Sequence, residues 1–140
     1  MTSAALIAVD TSVAVPLLST QHRQHEAVAM WASGKRLALS GHALAETYSA
    51  LTRLPGGSRV APTDATDLID ANFEQILTPS PRTTTEIHRL CAELNIAGGP
   101  VYDALVAFAA HDNGAVLATR DARARGIYSL VGVTTTFVAP

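Results

Sequence analysis

The sequence predicts an α/β domain, a three-layer α/β/α sandwich around a mostly parallel sheet, and three observations carry that prediction. Short, largely apolar runs at residues 6–9, 37–40 and 116–118 have the composition of strands covered on both faces. Longer stretches with apolar residues at helical spacing alternate with them, the order expected of strand–helix–strand units. The 140 residues are enough to bury one core, and no internal repeat, low-complexity segment or linker divides them.

Each element follows from local signals. Residues 6–9 are apolar throughout and end on Asp10-Thr11-Ser12, where Ser12 can cap a helix over 13–18 that carries Pro16 in its first turns. Ala27, Met30 and Trp31 give 22–33 helical spacing, and Gly34 closes that helix. Residues 37–40 read as the second strand. After Gly41 a helix spans 42–54, with Leu44, Tyr48 and Leu51 on its apolar face and Glu46, Ala50 and Arg53 opposite. Pro55-Gly56-Gly57-Ser58 is a loop, and Thr63 caps a helix over 63–73. Asp64, Asp67, Asp70 and Glu74 recur along that helix as a solvated face. Gln75–Leu77 is the candidate third strand. Thr83 or Thr84 opens a helix ending near Leu94. Gly98-Gly99-Pro100 then turns the chain into a helix over 101–113 that Asn113-Gly114 stops. A strand at 116–118, a helical turn at 120–128 and a closing strand at 133–137 complete the chain.

Composition narrows the function. Hydrophobic residues make up 48% and charged residues 16%, which excludes a disordered chain. One cysteine, Cys91, allows neither an internal disulfide nor a thiolate zinc cluster, and fits a reducing cytoplasm. The apolar first eighteen residues lack a basic leader and are interrupted by Asp10, so neither a signal peptide nor a membrane span is expected. A net charge of −2 excludes a uniformly basic nucleic-acid-binding surface. Nine of the ten basic residues are nevertheless arginine, and Arg120, Arg123 and Arg125 crowd around Asp121. That bias suits bidentate contact with phosphate and equally a GC-rich genome. The only lysine, Lys35, follows no Gly-rich loop, which excludes a P-loop enzyme, and no Gly-x-Ser-x-Gly elbow is present.

Four carboxylates stand apart. Asp10, Glu46, Asp103 and Asp121 each lie where a strand or loop hands over to a helix. In an open α/β sheet these junctions gather at the carboxyl edge, where ligands bind. Four such charges would repel and raise at least one pKa unless a cation neutralised them. Asp10 follows an apolar strand, where a charge is costly unless it emerges at the edge; a helix cap is the other reading, but Ser12 is available for capping. The helix dipole alone could explain Glu46. Asp103 follows Gly-Gly-Pro amid residues too apolar for a solvated face. Asp112, nine residues on, is out of phase with it and reads as surface. Thr119-Arg120-Asp121 is the most specific local pattern. Among His22, His25, His42, His88 and His111 only the first two pair in sequence, and they too read as surface.

In order, Ile7-Ala8-Val9-Asp10-Thr11-Ser12, Glu46 in a helix ending Leu51-Thr52-Arg53-Leu54-Pro55, Asp103, and Leu117-Ala118-Thr119-Arg120-Asp121 closely resemble a PIN-domain ribonuclease. The resemblance covers essentially the whole chain, and its length looks like that of the VapC toxins of bacterial type II toxin–antitoxin pairs. It implies a single PIN domain over 1–140 with a five-stranded central sheet and Mg²⁺ or Mn²⁺ at the acids. It also implies a cytoplasmic homodimer that hydrolyses RNA to 5′-phosphate and 3′-hydroxyl ends. A small cognate VapB-type antitoxin would inhibit it, and operator DNA would be met only through that antitoxin complex. Carboxylate oxygens are hard ligands suited to these cations. Asp10, Asp103 and Asp121 are expected to bind metal directly or through water, and Glu46 to bind metal or orient the attacking water. Ser12 and Thr119 would hold the acids in place, and Arg123 would contact phosphate. A catalytically silent module that binds antitoxin or RNA and a PIN nuclease of RNA maturation stay open as alternatives. A phosphoacceptor receiver domain would need a lysine at a late strand end, where this chain has none.

Overall fold

In the computed structural model, which describes residues 4–138, five strands form one all-parallel sheet in the order β3-β2-β1-β4-β5. Residues 1–3 and 139–140 of the domain expected over 1–140 lie outside the described residues. Along the chain come β1 (Leu6–Val9), α1 (Thr11–Leu18), α2 (His25–Ala32), β2 (Arg36–Ser40), α3 (Ala43–Thr52), α4 (Pro62–Asn72) and β3 (Gln75–Leu77). There follow α5 (Pro81–Glu93), α6 (Pro100–Asp112), β4 (Val116–Thr119), α7 (Ala124–Val131) and β5 (Thr135–Phe137). Strand β1 is central, with Ala8 opposite Ala38 of β2 on one side and Leu117 of β4 on the other. The chain first winds outward from β1 to β3 and then returns to place β4 beside β1. The β1/β4 junction is therefore the switch point at which open α/β sheets leave a crevice beyond their strand ends.

Burial follows from the parallel arrangement, since helices cover the sheet and its central strands meet no water. Ala8, Val9, Ala38, Leu39, Leu117 and Ala118 are fully buried. Helix α6 buries Ala104, Ala107, Ala109 and Ala110, small side chains that let it lie close to the sheet. Gly41 shows how close. Its φ is +55°, and a Cβ there would stand 2.9 Å from the Leu105 carbonyl oxygen and 3.0 Å from Ala109 Cβ. Beside it the buried Ser40 hydroxyl donates to the Val106 carbonyl at 2.8 Å. The β2–α3 turn is thus pressed against α6, which sets the carriers of Glu46 and Asp103 side by side. A second, smaller cluster of Cys91, Ile96, Ala104 and Phe108 joins α5 to α6.

Several local expectations are corrected. Helix α4 starts on Pro62, whose fixed φ suits a first helical position, and Thr63 caps nothing. Helix α5 begins at Pro81 rather than at Thr83 or Thr84, and Ser80 caps it by accepting from the Thr83 amide. Helix α2 begins at His25, leaving His22 in a turn, and α7 begins at Ala124. The buried face of α3 is Ala43, Thr47 and Leu51; of the expected stripe Leu51 is buried and Leu44 packs part-buried against the core, while Tyr48 is exposed. Glu74 lies beyond α4 and holds Arg36 through two bonds of 2.8 and 3.1 Å. Asp112 is not free surface either: it accepts from the Ser80 amide at 2.9 Å and ties the end of α6 to the start of α5.

Candidate metal centre

All four carboxylates line one small cavity, about 50 Å³, together with Thr11, Ser12, Val106 and Tyr128. Asp10 leaves the end of β1 and Asp121 follows β4, so they flank the switch point. Glu46 comes from the first turn of α3 and Asp103 from that of α6. The junction logic holds for every one of them.

Asp10 is only 4% exposed and is anchored on both oxygens. Oδ1 accepts from the Ser12 amide at 3.0 Å and the Ser12 hydroxyl at 2.6 Å. Oδ2 accepts from the Thr119 hydroxyl at 2.5 Å and the Tyr128 hydroxyl at 2.7 Å. A carboxylate has about four lone-pair sites, so these four donors occupy them all. Asp10 itself caps α1, correcting the expectation that Ser12 would; Ser12 serves as its donor. Through its oxygen Ser12 also accepts from the Arg120 amide at 2.8 Å, which fastens the β4 exit to the β1 exit. Burial, and next the Asp10 charge, push the Tyr128 hydroxyl far above its ordinary pKa, so it stays a donor.

Asp121 sits in an Asx turn ahead of α7, with Oδ1 accepting from the Arg123 amide at 2.9 Å and its own amide donating to Thr119 Oγ1 at 3.0 Å. Glu46 receives the Thr11 hydroxyl at 3.2 Å and lies 3.3 Å from His42 Nε2, whose ring stacks on Tyr102. Asp103 differs from the other three, because no hydrogen-bond donor among the described residues reaches its carboxylate. Burial, then Asp121, Glu46 and Asp10 in that order, raise its pKa above the ordinary aspartate value. An acid that is half-buried, undonated and repelled by three others is what a cation would relieve.

Among the described residues no three acidic, histidine or cysteine side chains converge closely enough to enclose an ion unaided. Mg²⁺ does not need such a cage, since it keeps several waters and takes one or two carboxylates directly. The donor set fits that mode.

Larger cavities flank the acids. One of about 440 Å³ shares Thr11, Ser12 and Asp121 with the acidic cavity and is walled by His22, Arg120 and Arg123. Another of about 370 Å³ shares Thr11 and Glu46 and holds His42 and Arg53. Arg125 lies over the Phe137 ring at 5.2 Å.

Two residues escaped the sequence reading. Tyr128 could have been found only by asking what partner a buried phenol meets. His22, expected at the surface, walls the larger cavity.

An acidic cluster at the switch point of a five-stranded parallel sheet defines a class of α/β domains rather than a particular protein. Residues 7–130 match the PIN domain family. The chain belongs to that family. It is 54% identical to Ribonuclease VapC27 of Mycobacterium tuberculosis over 127 residues, 91% of this chain and 93% of the relative. It is 42% identical to Ribonuclease VapC40 of the same species, covering 91% and 96%. A crystal structure of VapBC2 from Rickettsia felis bound to a DNA fragment from their promoter matches 94% of this chain and 98% of that one. Its TM-score is 0.62 at 18% identity, which speaks for the fold.

Proposed function

We propose that the protein is an endoribonuclease toxin of the VapC kind, dependent on Mg²⁺ or Mn²⁺ and held in check by a small VapB-type antitoxin. The observation that carries the reading is Asp103, a half-buried carboxylate without a donor in a cavity shared with three other acids. The 54% identity to a protein named as a ribonuclease supports RNA as the substrate.

Asp103 and the second oxygen of Asp121 would hold the cation, with Glu46 reaching it through water. A bound divalent ion supplies charge stabilisation at the phosphodiester and lowers the pKa of a water. Asp10 contributes through its charge; ligating directly would require one of its four donors to turn away. Ser12 and Thr119 are positioning residues: each hydroxyl donates to the Asp10 carboxylate and accepts a backbone amide beyond β4, of Arg120 and Asp121 respectively. Glu46 faces the same space and, steadied by Thr11 and His42, is placed to accept a proton from an attacking water. Arg123 sits at the rim, where its guanidinium can meet the RNA backbone.

A seat for the antitoxin is the apolar groove between α3 and α4, about 450 Å³, walled by Leu44, Ala45, Tyr48 and Ile69. An amphipathic segment laid into such a groove buries its apolar face. Operator DNA would be met through that partner, and homodimerisation and a cytoplasmic setting complete the reading.

The test is cleavage of total bacterial RNA by antitoxin-free protein across a Mg²⁺ and Mn²⁺ titration. Discrete metal-dependent fragments are expected. They should vanish with EDTA, with Asp103→Asn and on adding the antitoxin. Intact RNA at every metal concentration would overturn the reading in favour of a silent binding module.

A further inference from the structure

Four carboxylates repel the phosphodiester they are to cleave, so an RNA strand needs positive groups beside them. The 440 Å³ cavity supplies these. It adjoins the acidic cavity, sharing Thr11, Ser12 and Asp121 with it, so a strand with one phosphate at the acids and leaving on that side meets it.

Arg120 is the unusual residue in this cavity. Its amide is spent on Ser12, but its guanidinium Nε is buried without a partner and makes no ion pair among the described residues. Other arginines are engaged: Arg36 with Glu74, Arg82 with Glu86, Arg125 with Phe137. A buried, unmatched guanidinium N–H is costly and therefore calls for an acceptor. His22 adds a second donor. Its Nδ1 accepts the Gln24 amide at 3.0 Å, which leaves the proton of the neutral ring on Nε2. Burial, and next the Arg120 charge, favour that neutral ring.

We propose that this cavity binds the RNA phosphate adjacent to the scissile one, with Arg120 and His22 as its donors. The assignment rests on the ribonuclease reading and adds the group that positions the strand. A planar guanidinium offers two parallel N–H groups to the non-bridging oxygens, and the imidazole N–H meets a third lone pair.

Binding, not turnover, tests it. The probe is a fluorescein-labelled, mixed-sequence single-stranded RNA titrated into Asp103→Asn protein across a salt series and read by anisotropy. Adding Arg120→Gln should weaken binding about tenfold and make the log–log salt slope shallower by about 0.7, the value for one single-strand phosphate contact. Arg120→Lys, which keeps the charge but loses the fork, should retain the slope at reduced affinity, and guards against a variant that fails to fold. His22→Gln should weaken binding without altering the slope. Unchanged affinity and slope in Arg120→Gln, or no RNA binding by the Asp103→Asn protein, would overturn the proposal. Cleavage by protein with Asp103 intact separates the two readings. If Arg120→Gln cleaves with unaltered KM, the nuclease stands and the subsite falls. If Arg120-dependent binding comes with no cleavage, the subsite stands and the nuclease falls.

Discussion

Asp10 and Asp103 face the same cavity with the same functional group, yet their surroundings are opposite. Asp10 is buried under four donors drawn from α1, β4 and α7. Asp103 receives none and feels three negative neighbours. The Asp10 half of the site is thus part of the fold's own wiring, satisfied without any cation. The Asp103 half is an unbalanced charge, which the proposed cation would relieve. Identity of side chain does not determine role; the count of donors does.

The largest effect should come from cutting the wired half. Asp10→Ala removes a helix cap and strands hydroxyls of Ser12, Thr119 and Tyr128, so denaturant unfolding should show a loss of about 3 kcal/mol along with all cleavage. A loss below about 1 kcal/mol would break the comparison by making Asp10 as dispensable to the fold as Asp103.

Next in size is the response to metal. At about 100 times its dissociation constant, a ligand that binds only the folded state stabilises it by about 2.7 kcal/mol. Mg²⁺ should raise the melting temperature of the wild type accordingly, and that of Asp103→Asn far less. Equal shifts in both would place the cation elsewhere. Tyr128→Phe should follow, at about 2 kcal/mol, because it deletes one hydrogen bond to a buried carboxylate while leaving ring packing intact. Cleavage should fall about tenfold as Asp10 loses an anchor.

The same contrast marks what could be read from the chain. All four acids were legible because each follows an apolar run or a turn and opens a helix, a local signal. Their grouping was legible because such junctions share one sheet edge. The wiring of Asp10 was not. Ser12 and Asp10 are equally good caps by composition, and the choice between them is made by Thr119 and Tyr128, 109 and 118 residues away. Likewise the spacing of His22 and His25 suits one helix, but the turn that frees His22 to wall a cavity depends on where α1 ends against α2. The registers of β3 and β5, three residues each, come from the neighbouring strands rather than from their own sequence.

The smallest effect is the sharpest test. Asp103 keeps its proton to higher pH in the folded state than in the unfolded chain, whose ordinary value is 3.8. Between that value and the raised one, the native state binds more protons, so the stability of metal-free protein should fall as pH rises through the window. Asp103→Asn cannot lose a proton, and its stability should lack that downward step. At neutral pH, without metal, the variant should melt at or above the wild type although it no longer cleaves RNA. Saturating Mg²⁺ should erase or invert the difference by stabilising only the wild type. If Asp103→Asn instead melts well below the wild type in EDTA, Asp103 belongs with Asp10 among the residues that build the fold, and the division between a wired half and an unbalanced half disappears.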